Sequence, residues 1–171
     1  FRRCAVRLLF RVAREIGLAE DDPTLDLRLA SREAPGPSPL TDAEVALCRS
    51  ASLTDLENTR FAAAWALAEA GVRSGELARV TVDHLDLEAG VVDAPGCRSA
   101  RPRTAELTSW GVTHLRRRLL DLPSDPTQPV VYTGDGSAKS QQAASCIAIS
   151  TTLVRAGLGD DPAVRPISVV G

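Results

Sequence analysis

Apolar and polar positions first alternate with a helical period. Ala5, Leu9, Val12 and Ile16 share one stripe of residues 2–16, and Gly17 is placed to end the helix they predict. The next stretch, AEDDPTLDLRLASREAPGPSP, has little periodicity and three prolines in its last five residues. It predicts a linker, with a domain boundary near residue 33.

The following elements announce themselves by their caps. In LTDAE, Thr41 is expected to cap a helix while Glu44 reaches back to it, with Leu40 stapled onto Val45. LTDLE repeats the pattern with Thr54 and Glu57. FAAAWALAEA offers almost no polar face and predicts a largely buried helix up to Gly71. Ser74 is placed to cap a short helix over GELARV, and Arg73 sits at the junction between the two. HLDL and VVDA, separated by Glu88-Ala89-Gly90, predict a hairpin, and RTAEL a third short strand. WGVTHLRRRLLDL returns to helical period through Val112, Leu115 and Leu119, and a last helix over residues 140–156 ends at Gly157. The fold class expected is mainly α with a small three-stranded antiparallel β-sheet.

Composition narrows the setting. With 44% hydrophobic and 25% charged residues, the 171-residue chain suits a soluble globular protein with a real core. No apolar run has the length of a membrane span, and the opening residues mix five arginines among apolar ones, unlike a signal peptide. The absence of methionine, even at position 1, reads as either a processed chain or, by preference, a fragment of a longer protein. Cysteines 4, 48, 97 and 146 form no CxxC and the histidines are not paired, so neither a metal site nor a disulfide framework is expected. Scattered thiols in a cytoplasmic protein are the expectation, nucleoid-associated if bacterial. Nineteen of the 20 basic residues are arginine, a bias that reports a GC-rich genome more often than a function.

A net charge of −2 argues against a nucleic-acid partner until its distribution is considered. Residues 1–18 carry five Arg and one Glu, and residues 96–118 six Arg and one Glu, whereas residues 19–95 carry 6 basic and 15 acidic side chains. Two basic islands flank an acidic body. They read either as solvated helix faces or as a surface that faces phosphate. His84 and His114 have no carboxylate at a diagnostic spacing and are assigned to structure.

The order of elements and the segment AGVRSGELARVTVDHLDLEAGVV resemble the tyrosine recombinase or phage integrase family, whose corresponding segment reads TGLRxSEL…DIDxxxxxI. PLTDAEV is similar to the opening of that family's catalytic domain. The resemblance implies an integrase-like (DNA breaking-rejoining enzyme) catalytic domain. Residues 1–32 would be the end of a core-binding (SAM-like) helical domain plus linker, and residues 33–171 the N-terminal part of the catalytic domain. It implies double-stranded DNA as partner, further recombinase protomers, no membrane, no metal and no cofactor, in site-specific recombination and integration as mobile elements use them. Arg73 would bind the phosphate, because a guanidinium stays protonated and binds two oxygens at once. Backbone N–H groups at the Ser74-Gly75 turn would assist it, and Glu76 would steady it.

Other positions depart from the family pattern. Where the family places a lysine acid in the sheet turn, counting back from Leu107 gives Arg98, and a guanidinium does not readily act as a proton donor. Arg98, Arg101 and Arg103 are therefore expected as DNA-backbone contacts. The family's PHxLRH motif corresponds to RPISVVG, with Ile167 and Val170 at the histidine and arginine positions and Arg165 on the wrong side of the proline. Tyr132, the one tyrosine, precedes that motif and reads as a strand-like core residue, not a nucleophile. The expectation is a DNA-binding protein inactive in strand cleavage as this chain stands. The alternatives are a helical protein-interaction module without DNA affinity, and an active recombinase whose His, Arg and Tyr motifs lie beyond residue 171.

Overall fold

A computed structural model describes residues 2–20, 39–98, 100–132, 134 and 136–159. Residues 21–38 of the expected linker, with the boundary near residue 33, lie outside these residues, as do Arg165, Ile167 and Val170. The chain divides into two units, Phe1–Pro35 and Gly36–Gly171. The first contains α1 (Arg2–Glu15), followed by Gly17 at φ +71°. On α1 and the turn after it, Leu9, Val12 and Ile16 of the apolar stripe are exposed.

The second unit contains α2 (Asp42–Ser52), α3 (Arg60–Glu69), α4 (Ser74–Leu77), a 3-10 turn over Val82–His84, β1 (Leu85–Asp86), β2 (Val91–Ala94), β3 (Arg103–Glu106), α5 (Ser109–Leu120) and α6 (Ala138–Arg155). Its fold is mostly helical with one small three-stranded antiparallel sheet in the order β1-β2-β3. Among the described residues no helix is long and apolar enough to cross a membrane.

The first capping box forms at the start of α2. Thr41 N–H donates to Glu44 Oε2 at 2.7 Å, and Glu44 N–H donates to the Thr41 hydroxyl at 3.3 Å. The second does not. The Thr54 hydroxyl donates to Ala51 O at 2.8 Å, closing α2, and α3 begins only after Thr59. The same four-residue signal thus fails where the preceding helix end takes the hydroxyl first. Arg73, not Ser74, is the N-cap of α4, which is a single turn.

α3 organises the core. Phe61 to Ala68 are all buried, and the helix packs against α2, α5 and α6. Trp65 and Leu67 are fully enclosed, and burying one leucine contributes roughly 1.5–3 kcal/mol. Gly71, at φ +80°, lets the chain leave α3 sharply, with Val72 N–H donating back to Leu67 O at 3.0 Å.

The sheet pairs Asp86 with Val91, Val92 with Ala105, and Ala94 with Arg103. β1 is shorter than HLDL because His84 belongs to the 3-10 turn, where its Nδ1 accepts the Thr81 N–H at 3.1 Å. Residues 128–131 run beside residues 80–82, with Val130 N–H on Val80 O at 2.9 Å. Arg118 of α5 is buried and fixes this segment, donating from Nε to Val130 O at 2.8 Å and from Nη1 to the Thr59 hydroxyl at 3.2 Å.

Candidate nucleic-acid interface

The junction after α3 carries the candidate site. Beyond Gly71, Val72 is buried and Arg73 is extended, at φ −76° and ψ 156°. Its side chain is exposed as the chain enters α4. The third residue of α4, Glu76, is fully buried. Its carboxylate accepts the Arg73 N–H at 2.8 Å and a two-pronged donation from Arg103, Nη1 to Oε1 at 2.8 Å and Nη2 to Oε2 at 3.1 Å. Arg103 Nη2 also donates to Gly71 O. Burial pushes the Glu76 carboxyl up, but the Arg103 fork, the Arg73 N–H and the charges of both arginines outweigh it and hold the group below its ordinary range. Glu76 in turn raises the Arg103 pKa, against burial.

The turn between β2 and β3 lies against this junction. Gly96 adopts φ +77°, and a side chain there would place its Cβ 2.7 Å from Pro102 N, so glycine is required. Cys97 and Ala100 exchange backbone hydrogen bonds of 2.8 and 3.1 Å, which fold the tip tightly. Arg98 and Arg101 project from this turn, exposed and without an ion pair among the described residues. Arg79, just after α4, donates to Gly96 O at 3.0 Å. A Cβ on Gly75 would sit 3.4 Å from Cys97 Cβ and 3.9 Å from Gln142 Nε2, so α4, the turn and α6 converge there. Cys146 Sγ of α6 lies 4.0 Å from Ser74 O.

Arg73 and Arg98 therefore flank one contact, that of Gly75 with Cys97. Arg103 has another place than expected. It is the first residue of β3, and its guanidinium is committed to Glu76 and the Gly71 carbonyl. Strand alternation carried the signal: Arg103 and Ala105 share the inner face, while Thr104 and Glu106 point out. An arginine on an inner face calls for a buried carboxylate. Arg79 and Gln142 were not singled out in the sequence, and their nearness to the turn is tertiary.

The rest of the second basic island is structural. Arg116 pairs with Glu88 at 2.9 Å, Arg117 donates to Leu56 O at 2.6 Å, and Arg118 is the buried tie already described. His114 packs on the Trp110 ring with centroids 4.3 Å apart; burial, and then Arg117, push its pKa down. The Tyr132 hydroxyl accepts the Gly136 N–H at 2.9 Å, in the loop before α6.

Comparison with protein-family models and with curated proteins finds no match. Among solved structures, the fold is similar to the crystal structure of XerA recombinase, with a TM-score of 0.58 and 19% sequence identity. The similarity covers 96% of this chain and 56% of that one, so this chain spans little more than half of that structure's length. The likeness is one of fold: mostly helical, with a small three-stranded antiparallel sheet.

Proposed function

We propose that this chain binds double-stranded DNA through the phosphate backbone, using Arg73, Arg98 and Arg101, and does so without cutting it. The observation that carries the reading is the Gly75–Cys97 contact, which brings the α4 junction and the basic turn to one place. Exposed arginines on two neighbouring elements suit the oxygens of a phosphate backbone. In this reading Phe1–Pro35 is the end of a core-binding domain, and Gly36–Gly171 belongs to an integrase-like catalytic domain. Further protomers of the same kind join it on DNA.

Two side chains support the reading that this chain binds without cleaving. At the position that aligns with the family's lysine acid this chain has Arg98, and a guanidinium does not readily give up a proton. The Tyr132 hydroxyl is engaged within its own loop. Loss of a general acid alone costs roughly 10²–10⁴ in rate.

Fluorescence anisotropy with a mixed-sequence duplex tests the binding. Backbone contacts of this kind give dissociation constants of roughly 10⁻⁴–10⁻⁶ M at physiological salt, weakening steeply as salt rises. Affinity that ignores salt, or no affinity at all, would overturn the reading in favour of a protein-interaction module. A covalent adduct on nicked or suicide substrates would overturn the non-cleaving part.

A further inference from the structure

We infer that Glu76, Arg103 and Arg79 are positioning residues that fix the basic turn on α4, so that Arg103 serves the site without touching DNA. This rests on the DNA-binding reading above for its purpose, but not for its geometry. The turn is attached at both ends. At its entry, Gly96 O receives Arg79. At its exit, Arg103 grips the fully buried Glu76 with both prongs and also reaches the Gly71 carbonyl. Between these ties, Cys97 packs on Gly75. One carboxylate therefore holds two things in register: the Arg73 backbone, through its N–H, and the turn that carries Arg98 and Arg101.

A fixed turn and a merely charged one make opposite forecasts for Glu76→Gln. The substitution removes a negative charge beside the proposed DNA surface and releases the Arg103 guanidinium. Electrostatics alone then forecasts tighter binding and a steeper salt slope. A positioning role forecasts weaker binding despite the gain in net positive charge. The expected result is a loss of at least about fivefold, of the order seen when a coupled pair is broken.

Amide hydrogen exchange gives a readout that needs no DNA. The N–H groups of Cys97 and Ala100, bonded across the turn, are expected to exchange faster in the variant. Arg103→Lys conserves charge but loses the planar fork, and is expected to shift both readouts in the same direction. It carries the test if Glu76→Gln does not fold. Equal or tighter binding by Glu76→Gln, or unchanged exchange at Cys97 and Ala100 in Arg103→Lys, would overturn the inference. If the wild-type chain binds no DNA, the functional reading falls, while the exchange measurement still decides whether the ties hold the turn.

Discussion

Two arginine–carboxylate forks in the second unit have nearly the same chemistry and different surroundings. Arg49 grips Glu69 with Nε on Oε1 at 2.9 Å and Nη2 on Oε2 at 2.7 Å, and its side chain is 33% exposed against 6% for the glutamate. Arg103 grips Glu76 at 2.8 and 3.1 Å, with exposures of 35% and 0%. The first fork joins helices. Its arginine lies over the Trp110 ring at 5.3 Å, and its carboxylate accepts the hydroxyl of Thr108, the α5 cap, at 3.3 Å. The second fork joins a helix to a strand beside a turn that bears exposed arginines. A buried ion pair is weak evidence about function by itself. What distinguishes the second is the company it keeps.

The largest effect sharpens the likeness. Arg49→Ala and Arg103→Ala each strand a buried carboxylate, and each is expected to lower stability by about 3–5 kcal/mol in urea unfolding. A cost below about 1 kcal/mol for Arg103→Ala would place it among ordinary surface residues.

The next prediction separates the regions. Reversing Arg98 and Arg101 to Glu is expected to weaken DNA binding at least about tenfold and to flatten the salt slope, because phosphate contacts are lost. Reversing Arg116 and Arg117, an equal change of charge on α5, is expected to change affinity far less. Equal losses from both pairs would mean that only net charge matters.

Acid titration tests the second fork alone. Glu76 has a lowered pKa in the folded chain, so the stability it contributes is present above its unfolded value near 4.5 and is lost as pH falls through the folded value. Glu76→Gln is expected to remove that part of the acid sensitivity. In Arg103→Ala the carboxylate loses both the hydrogen bonds and the charge of Arg103 that lower its pKa, and it is expected to titrate higher than in the wild type. An unchanged unfolding profile between pH 5 and pH 2 in Glu76→Gln, pH values spanning roughly the range over which paired carboxylates are neutralised, would show that the carboxylate is not the group responsible.

The smallest effect compares two caps. Thr41→Ala, which breaks a complete capping box, is expected to cost about 1 kcal/mol. Thr54→Ala removes a single hydroxyl-to-carbonyl bond and is expected to cost less. Thermal unfolding distinguishes them.

These contrasts show what a sequence reveals and what it conceals. Elements set by local chemistry were legible: the Thr41 box, the Gly71 stop, the hairpin before Val91 and the apolar run of α3. Thr54 looked equivalent to Thr41 and was not, because a helix end three residues earlier competes for its hydroxyl. The arginines of residues 96–118 looked like one basic surface. In the fold they divide into exposed turn residues, a positioning residue and ties from α5 to the segments around it, a sorting made by tertiary contacts many residues away. The fork partner of Arg103 lies 27 residues upstream, beyond any local pattern.

The two attachments of the turn also bear on how this protein can change over generations. Residues 97–102 lie between the anchored Gly96 carbonyl and the anchored Arg103 side chain. The exposed arginines within that span hold no core residue in place. Substitutions of exposed residues of this kind usually shift stability by less than about 0.5 kcal/mol, whereas enlarging the buried alanines of α3 costs roughly 1–3 kcal/mol. The chain thus joins a frozen centre to a short, rewritable tip, and new surface chemistry can be tried there without renegotiating the fold.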